Sequence, residues 1–205
     1  MLLLWIGTAL AAPCPELASV VDGGWDAFYD AEIDAAKEAS ATAHQALECL
    51  EQVAPIDALL DLYRLDALIA LSEGDQRSAV YATIRAVTVS PDTSPPADLG
   101  PELSDLHETW ADRLAGSRAR VRVEGGGTLW VDGRAATASA PLTVVEGEHL
   151  VQLDGPEGWT SGIRDISSDL VIETGLPTSE PTAASVPSEP AAASVPTEPA
   201  AAVAG

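Results

Sequence analysis

The stretch Arg118-Ala119-Arg120-Val121-Arg122-Val123-Glu124 alternates charged and apolar residues at every step, the period of a strand with one buried face. It divides the chain. After it, Gly125-Gly126-Gly127 turns the backbone, Thr128-Leu129-Trp130-Val131 resumes the extended pattern, and Asp132-Gly133 is a strong hairpin signal. Leu142-Thr143-Val144-Val145 after Pro141, a turn at Glu146-Gly147, and His149-Leu150-Val151-Gln152-Leu153 are expected to continue a meander, closed by a last strand over 168–174.

Before Arg118 the period changes to that of helices. No proline interrupts 25–53, where Phe28, Ala31, Ala35, Ala39, Ala43, Ala46, Leu47 and Leu50 recur three and four apart; one long, lightly apolar helix is expected. Pro55 breaks it. Ile56, Leu59, Leu60, Leu62, Tyr63, Leu65, Leu68, Ile69 and Leu71 then surround a helix that must be central, because it is apolar around most of its girth. Glu73-Gly74-Asp75 combines a glycine C-cap with an aspartate N-cap, and the next helix runs to Ser90-Pro91-Asp92. After a proline-rich loop, 101–114 carries Leu103, Leu106, Trp110 and Leu114 on one stripe. The fold class is α+β and multidomain: a helical domain over 12–116, then a small antiparallel β-sandwich over 117–175.

Both ends of the 205-residue chain stand apart from these units. Residues 1–11 read as a secretory signal, an apolar run ending in Ala9-Leu10-Ala11, and are too short to span a bilayer, which takes about 20 residues. Export to the periplasm or cell surface is expected, not membrane integration. Cys14 then admits two readings. It is a lipid attachment site if cleavage falls directly before it, although Pro13 disfavours that; or it pairs with Cys49, the other cysteine, in an oxidising compartment. Such a bridge is worth about 3–4 kcal/mol by loop-closure entropy. From Ser179 a nine-residue Ser/Thr-Glu-Pro unit repeats three times, within a disordered tail assigned to 176–205. Its paired prolines block helix and sheet, and alanine supplies no core.

Charge narrows the function. With 32 Asp+Glu against 10 Lys+Arg and a net charge of −22, the chain lacks the clustered cations a nucleic-acid binder needs.

Two resemblances follow from the motifs. Leu62-Tyr63-Arg64-Leu65-Asp66-Ala67-Leu68, Ser72-Glu73-Gly74-Asp75, Ala79, Ala86 and Ser90-Pro91-Asp92 resemble a tetratricopeptide-type helical hairpin, with a looser unit before it. Residues 118–175 resemble the PEGA family of small β-sandwich modules, through Thr128-Leu129-Trp130-Val131-Asp132-Gly133-Arg134, Ala140-Pro141-Leu142, Glu146-Gly147-Glu148-His149 and Gly158-Trp159. Val123-Glu124-Gly125-Gly126 lacks the proline of the eponymous motif, and Ala138-Ser139 stands where a glycine turn is usual. The resemblance implies an envelope appendage with a binding or spacing role and carries over no active site.

Candidate chemistry is sparse. Asp22, Asp26, Asp30, Asp34 and Glu38, four apart, form one acidic stripe on the expected long helix, without the turn and glycine of a calcium loop. Arg118, Arg120 and Arg122 line one face of a strand, read as a charge-protected edge, or as a dock for an anion or for the acidic helices. His44, His107 and His149 are scattered, and His149 is expected at the edge of the core. No nucleophile motif, phosphate loop or dinucleotide fingerprint occurs, so no enzyme, cofactor or metal is expected. The first functional reading is a scaffold that holds a protein partner on a helical groove around Tyr63, Arg64, Tyr81 and Arg85. The alternative is a carbohydrate or cell-wall module using Trp130 and Trp159 as stacking platforms. Packing of Trp130 near Trp110 is the duller expectation.

Overall fold

The computed structural model describes residues 13–155 and 158–173. The signal-like segment and the nonapeptide tail lie outside them. Five helices come first: α1 (Leu17–Tyr29), α2 (Ile33–Ala46), α3 (Ile56–Ser72), α4 (Gln76–Val89) and α5 (Pro101–Leu114). Seven strands follow: β1 (Arg118–Glu124), β2 (Leu129–Val131), β3 (Arg134–Ala136), β4 (Leu142–Val145), β5 (Gly147–Gly155), β6 (Gly158–Ile166) and β7 (Leu170–Glu173). The chain is α+β.

The expected long helix is in fact two. α1 closes with Ala31 in the left-handed region at φ 61°, its N–H bonded to Phe28 O, while Glu32 N–H reaches Ala27 O. This is a Schellman closure with alanine where glycine is usual. The reversal is driven by packing, not propensity: it lets α1 and α2 both lie against α3, where Gly24 admits Leu65 at a distance that a Cβ would reduce to 2.7 Å. Restarting at Ile33 also rotates the apolar face. Ala36, Ser40, Ala43 and Ala46 are buried, whereas Ala31 and Ala35 are exposed. The acidic stripe is cut in two by the same turn.

α3 is central as expected, with eleven residues buried in its length, and contacts α1, α2 and α4. Glu73-Gly74-Asp75 makes the expected turn, with Asp75 Oδ1 accepting from Ser78 N–H at 3.1 Å. A disulfide joins Cys14 to Cys49 (Cα–Cα 5.7 Å), tying the approach to α1 onto the turn after α2, so that Cys49 lies beyond the helix in which it was expected.

The strands form two sheets, β4-β1-β7 and β3-β2-β5-β6, which enclose Ala119, Val121, Val123, Leu129, Val131, Ala136, Val144 and Ile166. Three expectations change here. β1 is the middle strand of its sheet, not an edge, and β7 pairs with it in parallel. β4 and β5 do not form a hairpin, because the chain crosses between sheets at Glu146-Gly147. β6 was not expected, yet it pairs with β5 along its whole length.

The helices cover the outer face of the β3-β2-β5-β6 sheet, where Leu150 and Ile163 join the helical core. Arg118, Arg120 and Arg122 therefore point away from the helices and cannot dock them. The β2–β3 turn, Asp132 at φ 48° and Gly133 at φ 76°, has the double left-handed conformation of a tight hairpin. Gly133 lies so close to the helical half that a Cβ would stand 2.5 Å from Ala54 O.

Two substitutions with opposite signs check this account. Ala31→Gly relieves the left-handed alanine and is expected to stabilise by about 1 kcal/mol. Gly133→Ala meets both an unfavourable φ and a backbone oxygen and is expected to destabilise by about 2 kcal/mol or more. Urea midpoints of the two variants against wild type read both effects.

Candidate functional site

The four residues assigned to a helical groove lie elsewhere. Tyr63 and Arg64 are 2% and 7% exposed, because α3 is enclosed by α1, α2 and α4. Arg64 Nη2 donates to Thr93 O at 2.8 Å and Ser94 O at 3.2 Å, holding the proline-rich loop against the bundle. Arg85 stacks its guanidinium 4.4 Å from the Tyr63 ring centroid and donates to Tyr63 Oη at 3.2 Å. It also pairs with Glu148 of β5 at 3.5 Å. Tyr81, 50% exposed, donates to Glu148 Oε2 at 2.5 Å. Burial pushes the Tyr63 hydroxyl well above the usual tyrosine value, and the bond to Glu148 raises that of Tyr81. These side chains close a seam between helices and sandwich, so the expected groove is filled from within.

The seam continues through residues that local sequence could not nominate. Gln152 is fully buried; its Oε1 accepts from Ala54 N–H at 2.9 Å and its Nε2 donates to Gln52 O at 2.8 Å. Ser161 Oγ donates to Leu47 O at 2.6 Å. His149, expected at the core edge, is wholly buried between two acceptors, with Nδ1 2.5 Å from Asp132 Oδ2 and Nε2 2.6 Å from Val145 O. A neutral imidazole owns one N–H; satisfying both acceptors takes two, so the ring is an imidazolium. Burial opposes that charge, but the hydrogen bond and charge of Asp132, with the Val145 carbonyl, outweigh both it and Arg134, and the ring titrates above the usual histidine value. Asp132 Oδ1 in turn accepts from Leu150 N–H at 2.8 Å, so one carboxylate fixes both the ring and the β5 backbone.

The other histidines are apart. His44 Nε2 meets Asp66 Oδ2 at 2.7 Å, whereas His107 is buried on α5 with Nε2 unpartnered, and burial followed by the Arg64 charge lowers its value. Among the described residues no three histidine, cysteine or carboxylate side chains converge as a metal site would require.

Two surface features carry aromatic side chains beside open space. Between α1, α3 and the short 3₁₀ turn Ala97–Leu99 lies a cleft of about 530 Å³, lined by Asp22, Trp25, Asp26, Tyr29, Asp61 and Asp98, with Pro96 and Leu99 at its end. Tyr29 is 65% exposed, and its ring lies 5.7 Å from that of Trp25. On the outer face of β2 and β6, Trp130 and Trp159 lie with ring centroids 5.1 Å apart and planes 30° apart, both half-buried. Trp130 thus meets Trp159, not Trp110, whose ring carries the Arg113 guanidinium at 4.7 Å. The alternation of Leu129 and Val131 places Trp130 outward, and Trp159 was named beside it as a platform; that the two rings touch follows only from the β5–β6 pairing.

No protein-family model, curated protein or solved structure matches the chain. Among the described residues no helix is long and apolar enough to cross a membrane.

The His149 arrangement sets a pH dependence. A histidine whose native value is raised contributes stability that is complete below about pH 6.5 and lost as pH rises through the native value. The urea midpoint is expected to fall as pH rises above about 6.5, and His149→Gln to remove that slope while lowering the midpoint at pH 6. Equal slopes in the two proteins would contradict the charged ring.

Proposed function

We propose that this is a non-catalytic, exported cell-envelope protein that binds a partner protein through its helical half, with the sandwich as a brace. The observation that carries the reading is the open cleft beside exposed Tyr29: it is an aromatic-walled hollow on the helices, while eleven residues of α3, Tyr63 and Arg64 among them, are buried. The binding surface moves accordingly from Tyr63, Arg64, Tyr81 and Arg85 to α1. Export to the periplasm or cell surface is supported by the Cys14–Cys49 disulfide and the signal-like 1–11 segment. A tetratricopeptide-like bundle is supported by two successive helical hairpins, α1–α2 and α3–α4, and a PEGA-like module by two small facing sheets. The separation of the three histidines favours binding over catalysis.

A second reading, a cell-wall carbohydrate module, is favoured by the Trp130–Trp159 pair, since adjacent half-exposed rings offer faces on which sugar rings stack.

A photo-crosslinking residue placed at position 29 in producing cells is expected to trap one discrete envelope protein, and the same residue at 159 is not. Co-sedimentation of the purified protein with cell-wall polysaccharide, lost in Trp130→Ala/Trp159→Ala, together with no trapped protein at 29, would reverse the assignment.

A further inference from the structure

We propose that α5 is a proton-released lid over the α3–α4 hairpin, with His107 as its latch. Of the fourteen residues of α5 only Leu103 and His107 are buried, so few side chains hold the helix down. Leu103 meets Ala67, Leu68 and Ala82, an apolar patch of α3 and α4 that the lid keeps from water. His107, 5% exposed, enters a hollow lined by Tyr63, Arg64 and Ala67 of α3, Thr83 and Ala86 of α4, and Pro95 of the proline-rich loop. That hollow has no space that a water molecule could occupy, so the one species it can admit in the folded state is a proton.

Nothing in the hollow can answer the charge that a proton brings. His107 Nε2 and Arg64 Nε are both buried without a hydrogen-bond partner. A neutral ring presents a lone pair at Nε2, which a guanidinium tolerates; an imidazolium presents an N–H, and two cationic donors then share one closed space. Arg64 is the only charged group in the lining. The Tyr63 hydroxyl accepts from Arg85, Thr83 donates to Ala79 O, and Ala67, Ala86 and Pro95 do not ionise. Asp61 meets Arg64 at Nη1, 3.6 Å away, and does not line the hollow. On α5 itself the positions one turn either side of His107 are Leu103, Ser104, Trp110 and Ala111, while Asp105 and Glu108 are exposed. Burial and then the Arg64 charge accordingly hold the ring below the usual histidine value. The three histidines thus differ in kind, since His44 and His149 each meet an aspartate and His107 faces a cation. The contribution of His107 is complete above about pH 6.5 and lost as pH falls through the native value, the reverse of His149.

Hydrogen exchange on the purified protein reads the lid separately from the body, since each amide reports its own opening free energy once the intrinsic rate at that pH is divided out. From about pH 7.5 to about pH 5.5 the open population of α5, taken from the amides of 105–112, is expected to rise by up to about tenfold, the gain of a ring that titrates at its ordinary value once released. The amides of α3 and β5 do not follow it. His107→Leu fills the hollow with an apolar side chain and is expected to abolish the rise. His107→Gln, polar but untitratable, abolishes it too, and carries the test if leucine does not fit. An α5 that opens equally at both pH values in wild type would overturn the proposal, as would an acid rise that survives in either variant. Opening of α5, α3 and β5 together would overturn the lid, because the acid response would then belong to the whole fold.

Discussion

The buried pair of His149 and Asp132 is the constraint on which the rest of the molecule depends. A buried charge persists only when its partners are in place, because an uncompensated ion in the interior costs several kcal/mol. Here one carboxylate satisfies the imidazolium and the Leu150 amide together, and that fixes the Asp132-Gly133 turn on β5. With the turn fixed, Gly133 sits against Ala54 and Ile56, and Gln152 reaches the backbone of residues 52 and 54. The sandwich is thereby set on the helices at one angle, and Glu148 arrives where Arg85 and Tyr81 meet it.

That placement decides which surfaces face solvent. The residues that a free helical hairpin would offer to solvent are used internally, whereas α1 leaves Tyr29 exposed beside Asp22 and Asp26. The basic strand face of β1 lies on the far side of the sandwich, separated from α1 by both sheets. A strongly acidic molecule thus keeps its three clustered arginines remote from its acidic cleft, and the two do not neutralise each other.

Much of this was legible from the chain. Pro55, Glu73-Gly74-Asp75 and Pro101 bound helices by removing donors or supplying caps, and the alternation at Arg118–Glu124 left no choice of period. Asp132-Gly133 named its own turn. The failures share a cause. Ala31 adopts a left-handed conformation that its side chain disfavours, and only the packing of α1 and α2 on α3 compensates, so no local signal marks the break. β6 carries Gly162 and few alternating residues, and its strand character comes from pairing with β5. Gln152 and its partners are 98 and 100 positions apart, beyond any periodicity. Half of the acidic cleft, Asp22 and Asp26, was visible as a stripe; Asp61 and Asp98 join it only through tertiary structure.

Native-state hydrogen exchange measures the coupling between the two halves most directly, since it assigns an opening free energy to each protected amide. If the seam locks sandwich to helices, the amides of α3 and β5, Leu150 among them, share one highest free energy, equal to that of global unfolding. An α3 that stays protected while β5 exchanges through a separate, lower-energy opening would contradict the account.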